Sequence, residues 1–222
     1  MNSSGANPVI SGAANAASFQ NTYAPGMILS IFGTQLALTT RSVGSAPLPT
    51  TLDNVSVTVN GIAAPLYYIS PAQLNVQIPY ETTSNGTATV TVRNNGQTAL
   101  SQIRMSATAP GIFTDTSGGI LPAATAARGQ TMSLYLTGAG ALQPSIATGA
   151  VPAGSATSSP TATTSVTVGG IQASTTYIGV PSWAIGVLQI NLTVPVSVPA
   201  GQQSVVVTVG GASSPAAELT VQ

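Results

Sequence analysis

Residues 55–62 read VSVTVNGI, and residues 164–171 read TSVTVGGI. In both segments valine alternates with serine or threonine. This period of two places the valines on the core face of a β-strand and the hydroxyls on its solvent face. The Asn60-Gly61 pair, like the Gly-Gly pair of the second segment, suits the positive φ angles of a tight turn. Each segment therefore predicts a strand and a hairpin turn, and their similarity indicates that one structural unit occurs twice.

Four further pairs of segments recur in the same order in the two halves of the 222-residue chain. They are GMILSIFGT (26–34) and GQTMSLYLT (129–137), YI (68–69) and YI (177–178), QLNVQIP (73–79) and QINLTVP (189–195), and ATVTV (88–92) and VVVTV (205–209). Each is typical of a strand, and turn signals rich in Gly, Pro and Asn separate them. We therefore predict an all-β fold of two tandem immunoglobulin-like β-sandwich modules related by internal duplication.

The repeats divide the chain into a flexible leader (1–12), a first sandwich (13–108), a linker (109–120) and a second sandwich (121–222). The linker begins at the Ala-Pro-Gly break of residues 109–111, and we expect Phe113 to anchor it between the sandwiches. The leader has neither the cationic nor the apolar region of a signal peptide. We expect the chain to lie behind upstream domains of a larger parent protein that carries the export signal.

Charged residues make up 4% of the chain, against about 25% in a typical soluble domain. The chain contains four arginines, four acids and no lysine, and its net charge is zero. This composition disfavours a nucleic-acid partner, which requires a basic surface. The longest apolar runs have the length of a strand, so we predict no membrane-spanning segment.

The sequence contains few of the residue types that catalytic sites use. The absence of histidine, cysteine and lysine excludes the usual triads, dyads, Schiff bases and thiolate metal sites. The four acids, which are scattered over both halves, are Asp53, Glu81, Asp115 and Glu218. The segment around Asp115 has too few carboxylates for calcium and predicts an ordinary turn. We therefore expect no enzyme, no catalytic residue, no metal and no cofactor.

Trp183 is the strongest candidate for a binding residue. Tyr68 and Asn75 are seven positions apart, whereas Tyr177 and Asn191 are fourteen apart, so the second half carries a seven-residue insertion near Trp183. Tryptophan at a loop tip stacks on sugars or fills pockets of a partner. The alternative is that this apolar loop packs onto the neighbouring sandwich.

Two tyrosines join Trp183 as binding candidates, namely Tyr67 and Tyr80. Tyr67 and Tyr68 are consecutive on a strand, so one should face the core and the other should be exposed.

Several segments together resemble an uncharacterised C-terminal domain family of large secreted acidobacterial proteins of the Solibacter type. They are NAASF (15–19), APGMILSIFGT (24–34), YISPAQLNVQIP (68–79), APGIF (109–113), LTGAG (136–140) and GVLQINLTVP (186–195). Each half is also similar to IPT/TIG immunoglobulin-like domains, in which a Gly-Thr-x-Leu segment such as that of residues 33–36 follows an early strand. The resemblance implies an export context and supplies no catalytic residue.

These observations favour a non-catalytic structural or interaction region, of the spacer or adhesion type, in an exported bacterial protein located outside the cell or at its surface. Its partner would be a protein or a glycan. The alternative is a carbohydrate-binding module that uses Trp183 and exposed tyrosines. Because few charges protect the edges of its sheets, we also expect weak self-association that does not depend on salt.

Overall fold

The structure of the chain is a computed structural model that describes residues 7–154 and 157–222. These residues form 22 β-strands, and none of them lies in a helix, so the described chain contains no apolar helix long enough to cross a bilayer. The strands form two sandwiches, as the alternating sequence pattern predicts. The predicted fold class is confirmed.

Module 1 consists of the first ten strands. They are β1 (Val9–Asn15), β2 (Ile28–Thr34), β3 (Arg41–Ser42), β4 (Thr51–Leu52), β5 (Val55–Val59), β6 (Ile62–Ala64), β7 (Leu66–Ile69), β8 (Gln73–Gln77), β9 (Gly86–Asn94) and β10 (Gln97–Met105). One sheet has the order β1-β2-β8-β7-β3. The other has the order β10-β9-β5-β4, with β6 paired to β5.

Module 2 consists of the remaining twelve strands. They are β11 (Gly111–Ile112), β12 (Thr125–Ala126), β13 (Thr131–Thr137), β14 (Leu142–Gln143), β15 (Ser159–Pro160), β16 (Thr164–Val168), β17 (Ile171–Gln172), β18 (Ser174–Gly179), β19 (Leu188–Thr193), β20 (Gly201–Val209), β21 (Ala212–Ser213) and β22 (Ala217–Val221). One sheet has the order β11-β13-β19-β18, and the other β12-β22-β20-β16-β17, with β21 on β20. Strands β14 and β15 form a separate pair.

The two modules share their central strand order. The path β2-β8-β7 of module 1 corresponds to β13-β19-β18 of module 2, and β9-β5 corresponds to β20-β16. The hairpin predicted at Asn60-Gly61 joins β5 to β6, with φ angles of 51° and 80° at the two turn residues. Its counterpart at Gly169-Gly170 joins β16 to β17. The segments that recur in the sequence thus form the strands that the two sandwiches share.

Each module has its own hydrophobic core, built by the inward positions of the alternating strands. In β5, Val55, Val57 and Val59 are at most 1% exposed, while Ser56 and Thr58 are half-buried. Removing such side chains from water is the main favourable term in folding, at about 25 cal/mol for each Å² of apolar surface.

The structure differs from the predicted boundaries at two places. Strand β1 begins at Val9, inside the expected leader, because Val9–Asn15 pairs with β2 in an antiparallel ladder. The first six residues of that leader lie outside the described chain. The expected linker also contains β11, which pairs with β13 and so belongs to module 2. Residues 106–110 therefore form the covalent connection from β10 of module 1 to β11 of module 2.

Candidate binding surface at the module junction

The loop of residues 180–187 connects β18 to β19, where module 1 has the three residues 70–72 between β7 and β8. The extra length is therefore five residues in the loop, and the other two of the predicted seven extend β18 and β19 by one residue each. Inside this loop Ile185 is 3% exposed, and Ala184 and Val187 are also buried. The loop is therefore an apolar segment packed against the rest of the molecule.

Tyr67 of module 1 holds this loop by two hydrogen bonds. Its hydroxyl donates to the carbonyl oxygen of Ile185 at 2.6 Å and accepts from the backbone N–H of Ile185 at 2.8 Å. Tyr67 reaches the loop because it lies at a register shift of β7, where the ladder skips from Leu66 to Tyr68. Its hydroxyl is thus engaged within the chain, and the predicted role of Tyr67 in contacting a ligand stays a prediction.

Thr137, at the end of β13, links the same loop to strand β2. Its hydroxyl accepts from the N–H of Ile28 at 2.9 Å and donates to the carbonyl oxygen of Gly186 at 2.6 Å. Thr137 is 1% exposed, so both bonds lie away from water. The Thr137 hydroxyl thus acts as both hydrogen-bond donor and acceptor. It joins three segments, namely β13, β2 and the loop of residues 180–187.

Gln77 forms a third polar contact between the modules. The fully buried side chain donates from Nε2 to the carbonyl oxygen of Gly26 at 3.2 Å, and its Oε1 accepts from the N–H of Gly149 at 2.7 Å. The N–H of Leu48 also donates to the carbonyl oxygen of Gly149 at 2.9 Å. Because an unpaired buried amide costs about 1–3 kcal/mol, these bonds favour one relative position of the modules.

Tyr80, the third predicted site residue, packs from module 1 against the core of module 2. Its ring lies against Gly26, where an added Cβ would be 2.0 Å from the ring atom Cε1. Its N–H donates to Thr148 Oγ1 at 3.0 Å, and Thr148 donates to Glu81 Oε2 at 2.7 Å. Burial raises the pKa of Tyr80, and a smaller contribution comes from Tyr67. Tyr80 is therefore part of the junction rather than of an open surface.

The linker is also held on both sides. The N–H of Ala109 donates to the carbonyl oxygen of Gly138 at 2.8 Å, and Asn15 Nδ2 donates to the carbonyl oxygen of Ala109 at 2.9 Å. Gly138 has a φ of 89°, and a Cβ there would be 1.9 Å from the Ala109 oxygen. A glycine is required for this close backbone approach.

Trp183 is placed differently from its neighbours in the loop, because 63% of it is exposed. Its ring packs edge-on against Tyr135, with the ring centroids 5.4 Å apart and an angle of 76° between the planes. Tyr135 lies on the outward face of β13, and Phe113 follows β11 at the neighbouring position, where its N–H donates to the Tyr135 carbonyl oxygen at 2.9 Å. We call Phe113, Tyr135 and Trp183 the aromatic patch.

The insertion has two parts that are placed differently, and the binding role of Trp183 stays a prediction. Ile185 packs into the junction, whereas Trp183 stands open beside the sheet. Sequence reasoning did not identify Tyr135, although its alternation with the buried Leu134 and Leu136 places it on the outward face. Phe113 is half-buried in the patch, not at the centre of the linker contact.

Polar side chains continue the outward face of the sheet next to Tyr135. Ser133 Oγ and Gln189 Nε2 each donate to Asn191 Oδ1 at 2.8 Å. Gln189 is the register partner of Tyr135 on β19. Strands β13, β18 and β19 and the loop of residues 180–187 carry no charged side chain. These three strands and this loop are thus neutral, and amide groups lie beside Tyr135 on them.

Module 1 contains the same polar arrangement. Ser30 Oγ and Gln73 Nε2 donate to Asn75 Oδ1 at 3.0 and 2.8 Å. Phe32, the register partner of Gln73, takes the place that Tyr135 has in module 2. The duplication therefore copied a hydrogen-bonded face as well as a core, and only module 2 adds a tryptophan to it.

The carboxylates form no shared site. Asp53 accepts from Thr39 at 2.8 Å and from Arg41 at 2.6 Å, and these bonds lower its pKa. Hydrogen bonds from Ser117 and then from the N–H of Gly119 lower the pKa of Asp115, whose carboxylate closes its own turn. Across residues 7–154 and 157–222, no three acidic, histidine or cysteine side chains lie together as a metal site would require.

Comparisons with known proteins agree with the sandwich fold. The family model of the IPT/TIG domain matches residues 16–107, which cover most of module 1 and the first two residues of the connection to module 2. A search of curated proteins gives no match.

Solved structures of tandem and multidomain proteins match the chain at low sequence identity. The plexin A4 extracellular region is 14% identical, with 96% of this chain and 18% of that one covered and a TM-score of 0.35. The SGBP-B protein of a Bacteroides ovatus mixed-linkage glucan utilization locus, solved with a mixed-linkage heptasaccharide, is 13% identical, with coverage of 97% and 45% and a TM-score of 0.41. A titin Ig tandem is 12% identical, with coverage of 90% on both sides and a TM-score of 0.27. This chain thus spans less than half the length of the first two.

Proposed function

We propose that the chain is a rigid, non-catalytic structural and interaction unit of an exported bacterial protein, in which the two sandwiches are held at one fixed angle. The observation that carries this proposal is the paired hydrogen bond between Tyr67 and Ile185. It joins a strand of one module to the inserted loop of the other. A spacer needs such a contact, because two sandwiches joined by five residues alone would otherwise reorient freely.

The residue inventory supports a non-catalytic role. The chain has no histidine, cysteine or lysine for acid–base or nucleophilic chemistry, and its four carboxylates are used in separate local hydrogen bonds or lie on different strands and turns. Apart from the four arginines, the remaining polar side chains are hydroxyls and amides. Such groups suit an extended contact surface and not a general acid or base.

Distance measurements between two spin labels test the fixed angle. The chain has no cysteine, so Thr87→Cys and Ser204→Cys introduce the only two labels, at exposed and equivalent positions of β9 and β20. We expect a single narrow distance distribution. The same pair in a Tyr67→Phe, Gln77→Ala background should give a broader one. A broad distribution in the otherwise unchanged chain would contradict the proposal.

A second candidate function is the binding of a neutral carbohydrate at the aromatic patch. The observation that favours it is the exposure of Trp183 beside Tyr135, with the amide of Gln189, the register partner of Tyr135, on the adjacent strand. Aromatic faces stack on the apolar face of a sugar ring, while amides serve its hydroxyls. Titration of neutral oligosaccharides against the chain and against Trp183→Ala tests this function, and equal binding by both would contradict it.

A further inference from the structure

The outward face of β19 carries two amide side chains, Gln189 and Asn191. They lie two residues apart on the strand and therefore point to the same side of the sheet. Asn191 Oδ1 accepts from Gln189 Nε2 and from Ser133 Oγ, each at 2.8 Å. Because an amide oxygen has two lone pairs, these two bonds use its full accepting capacity. The chain itself thus holds the Asn191 amide in one orientation.

Two polar atoms of this amide pair have no partner. Within residues 7–154 and 157–222, Asn191 Nδ2 donates no hydrogen bond and Gln189 Oε1 accepts none. Both atoms reach solvent, because Thr82 Oγ1 is the one side-chain polar atom of the described chain that is both buried and without a hydrogen bond. The amide pair therefore presents a free donor and a free acceptor on neighbouring side chains.

Aromatic side chains border the amide pair on both neighbouring strands. Tyr135 is the register partner of Gln189 on β13, and Tyr177 is the register partner of Asn191 on β18. Side chains opposite each other on adjacent strands have Cβ atoms about 4.5–5.5 Å apart. The Trp183 ring in turn lies 5.4 Å from the Tyr135 ring between centroids. A ligand of two linked sugar rings is therefore long enough to contact the indole and the amides together.

We propose that Asn191 and Gln189 bind two adjacent hydroxyls of a neutral sugar residue, while Trp183 stacks on the next ring of the same glycan. The proposal rests on the second candidate function, carbohydrate binding at the aromatic patch, and names the class of sugar. A sugar hydroxyl both donates and accepts, so one hydroxyl accepts from Nδ2 and its neighbour donates to Oε1. Strands β13, β18 and β19 and residues 180–187 carry no charge, so the carboxylate of an acidic sugar would lose water without gaining a cation.

Module 1 contains the same network without a tryptophan beside it. Asn75 Oδ1 accepts from Ser30 Oγ at 3.0 Å and from Gln73 Nε2 at 2.8 Å. A network that only stabilises the sheet should matter in the same way in both modules. A binding role should appear in module 2 alone, because only there does an exposed indole lie next to it. The duplication thus supplies a matched control for each amide.

Calorimetric titration with uncharged hexasaccharides of glucose, mannose, galactose and xylose tests the proposal. For a hexasaccharide that binds the unchanged chain, we expect Asn191→Ala to lower the affinity at least tenfold. The matched control Asn75→Ala removes the equivalent amide of module 1 and should retain the affinity of the unchanged chain. Thermal melts check that both variants fold. Equal affinities of the two variants would overturn the role of Asn191.

A hexasaccharide of galacturonic acid tests the class of sugar. It should bind at least tenfold more weakly than the best neutral hexasaccharide, and equal or tighter binding would overturn the restriction to neutral sugars.

Trp183→Ala separates this inference from the function on which it rests. Loss of affinity in Trp183→Ala together with full affinity in Asn191→Ala would overturn the role of the amides and leave carbohydrate binding at the aromatic patch standing. If none of these hexasaccharides bound the unchanged chain, both the inference and the second candidate function would be overturned.

Discussion

Modules 1 and 2 share their inner strands but differ in the connection that follows the tyrosine-bearing strand. Module 1 turns from β7 to β8 within residues 70–72, where the Ser70 hydroxyl accepts from the N–H of Gln73 at 2.9 Å and closes the turn on itself. Module 2 uses residues 180–187 for the same step, and its loop leaves its own sheet to bind Tyr67 of module 1. The contact between the two modules thus comes from a part of the scaffold that was not duplicated, and the fixed angle that we propose depends on it.

The largest effect on stability is expected from a substitution that removes the apolar centre of the longer loop. Ile185→Ala truncates a side chain that is 3% exposed. The variant buries less apolar surface and leaves a cavity, so its free energy of unfolding should decrease by about 2–4 kcal/mol. Chemical denaturation monitored by Trp183 fluorescence and by circular dichroism measures this loss. We expect the unfolding transitions followed by fluorescence and by circular dichroism to have different midpoints in the variant, because its two modules then unfold more independently.

Val196→Ala is the control for this substitution. Val196 is 77% exposed in module 2, so its truncation should change the free energy of unfolding by less than about 0.5 kcal/mol. A loss for Ile185→Ala as small as that of the control would show that the loop does not couple the modules.

A smaller effect is expected from the hydroxyl of Tyr67. Tyr67→Phe removes both hydrogen bonds to Ile185 and leaves its buried backbone groups without these partners, at a cost of about 1–2 kcal/mol. Tyr68→Phe is the matched control on the same strand, since the Tyr68 hydroxyl forms no hydrogen bond within the described part of the chain. Equal free energies of unfolding for the two variants would contradict the role of Tyr67 in the junction.

Alkaline pH should weaken the same junction without any substitution. Burial raises the pKa of Tyr67 and of Tyr80 above the ordinary value of 10.0. The folded chain therefore holds these protons more tightly than the unfolded chain, so the stability they contribute is complete below pH 10 and decreases as the pH rises beyond it.

Denaturation midpoints between pH 9 and pH 11.5 measure this dependence. We expect them to decrease above pH 10, and the decrease should be smaller in Tyr67→Phe, which has lost one of the three tyrosines whose pKa burial raises, namely Tyr23, Tyr67 and Tyr80. A midpoint that is independent of pH in this range, or the same slope in both proteins, would contradict the assignment.

The fold was predictable from the sequence because β-strands and turns have local signatures. The alternation in residues 55–59 and the Asn60-Gly61 turn each specify their conformation without reference to distant residues. Strand β1 was missed, and residues 9–12 were expected to be flexible. This stretch, Val-Ile-Ser-Gly, does not alternate clearly, and it becomes a strand because β2 offers it an edge.

The candidate site was less predictable, because it depends on contacts between residues far apart in sequence. Trp183 stood out by its rarity and by the insertion around it. Nothing local indicated that the Tyr67 hydroxyl would reach a residue 118 positions away. Tyr135 carried a local signal in its outward position on β13, yet its contact with Trp183 depends on how the loop returns to its own sheet.

The smallest expected effect on stability belongs to Trp183, and it separates binding from packing. Trp183 is 63% exposed and touches Tyr135 by one edge, so Trp183→Ala should cost less than about 1 kcal/mol. If the aromatic patch binds a neutral glycan, the same substitution should reduce affinity at least tenfold in calorimetric titration, and Tyr135→Ala should reduce it as well. Phe32→Ala, at the equivalent position of module 1, is the control, because no tryptophan accompanies it there. Loss of stability in Trp183→Ala comparable to that of Ile185→Ala would instead assign the whole loop to packing between the modules.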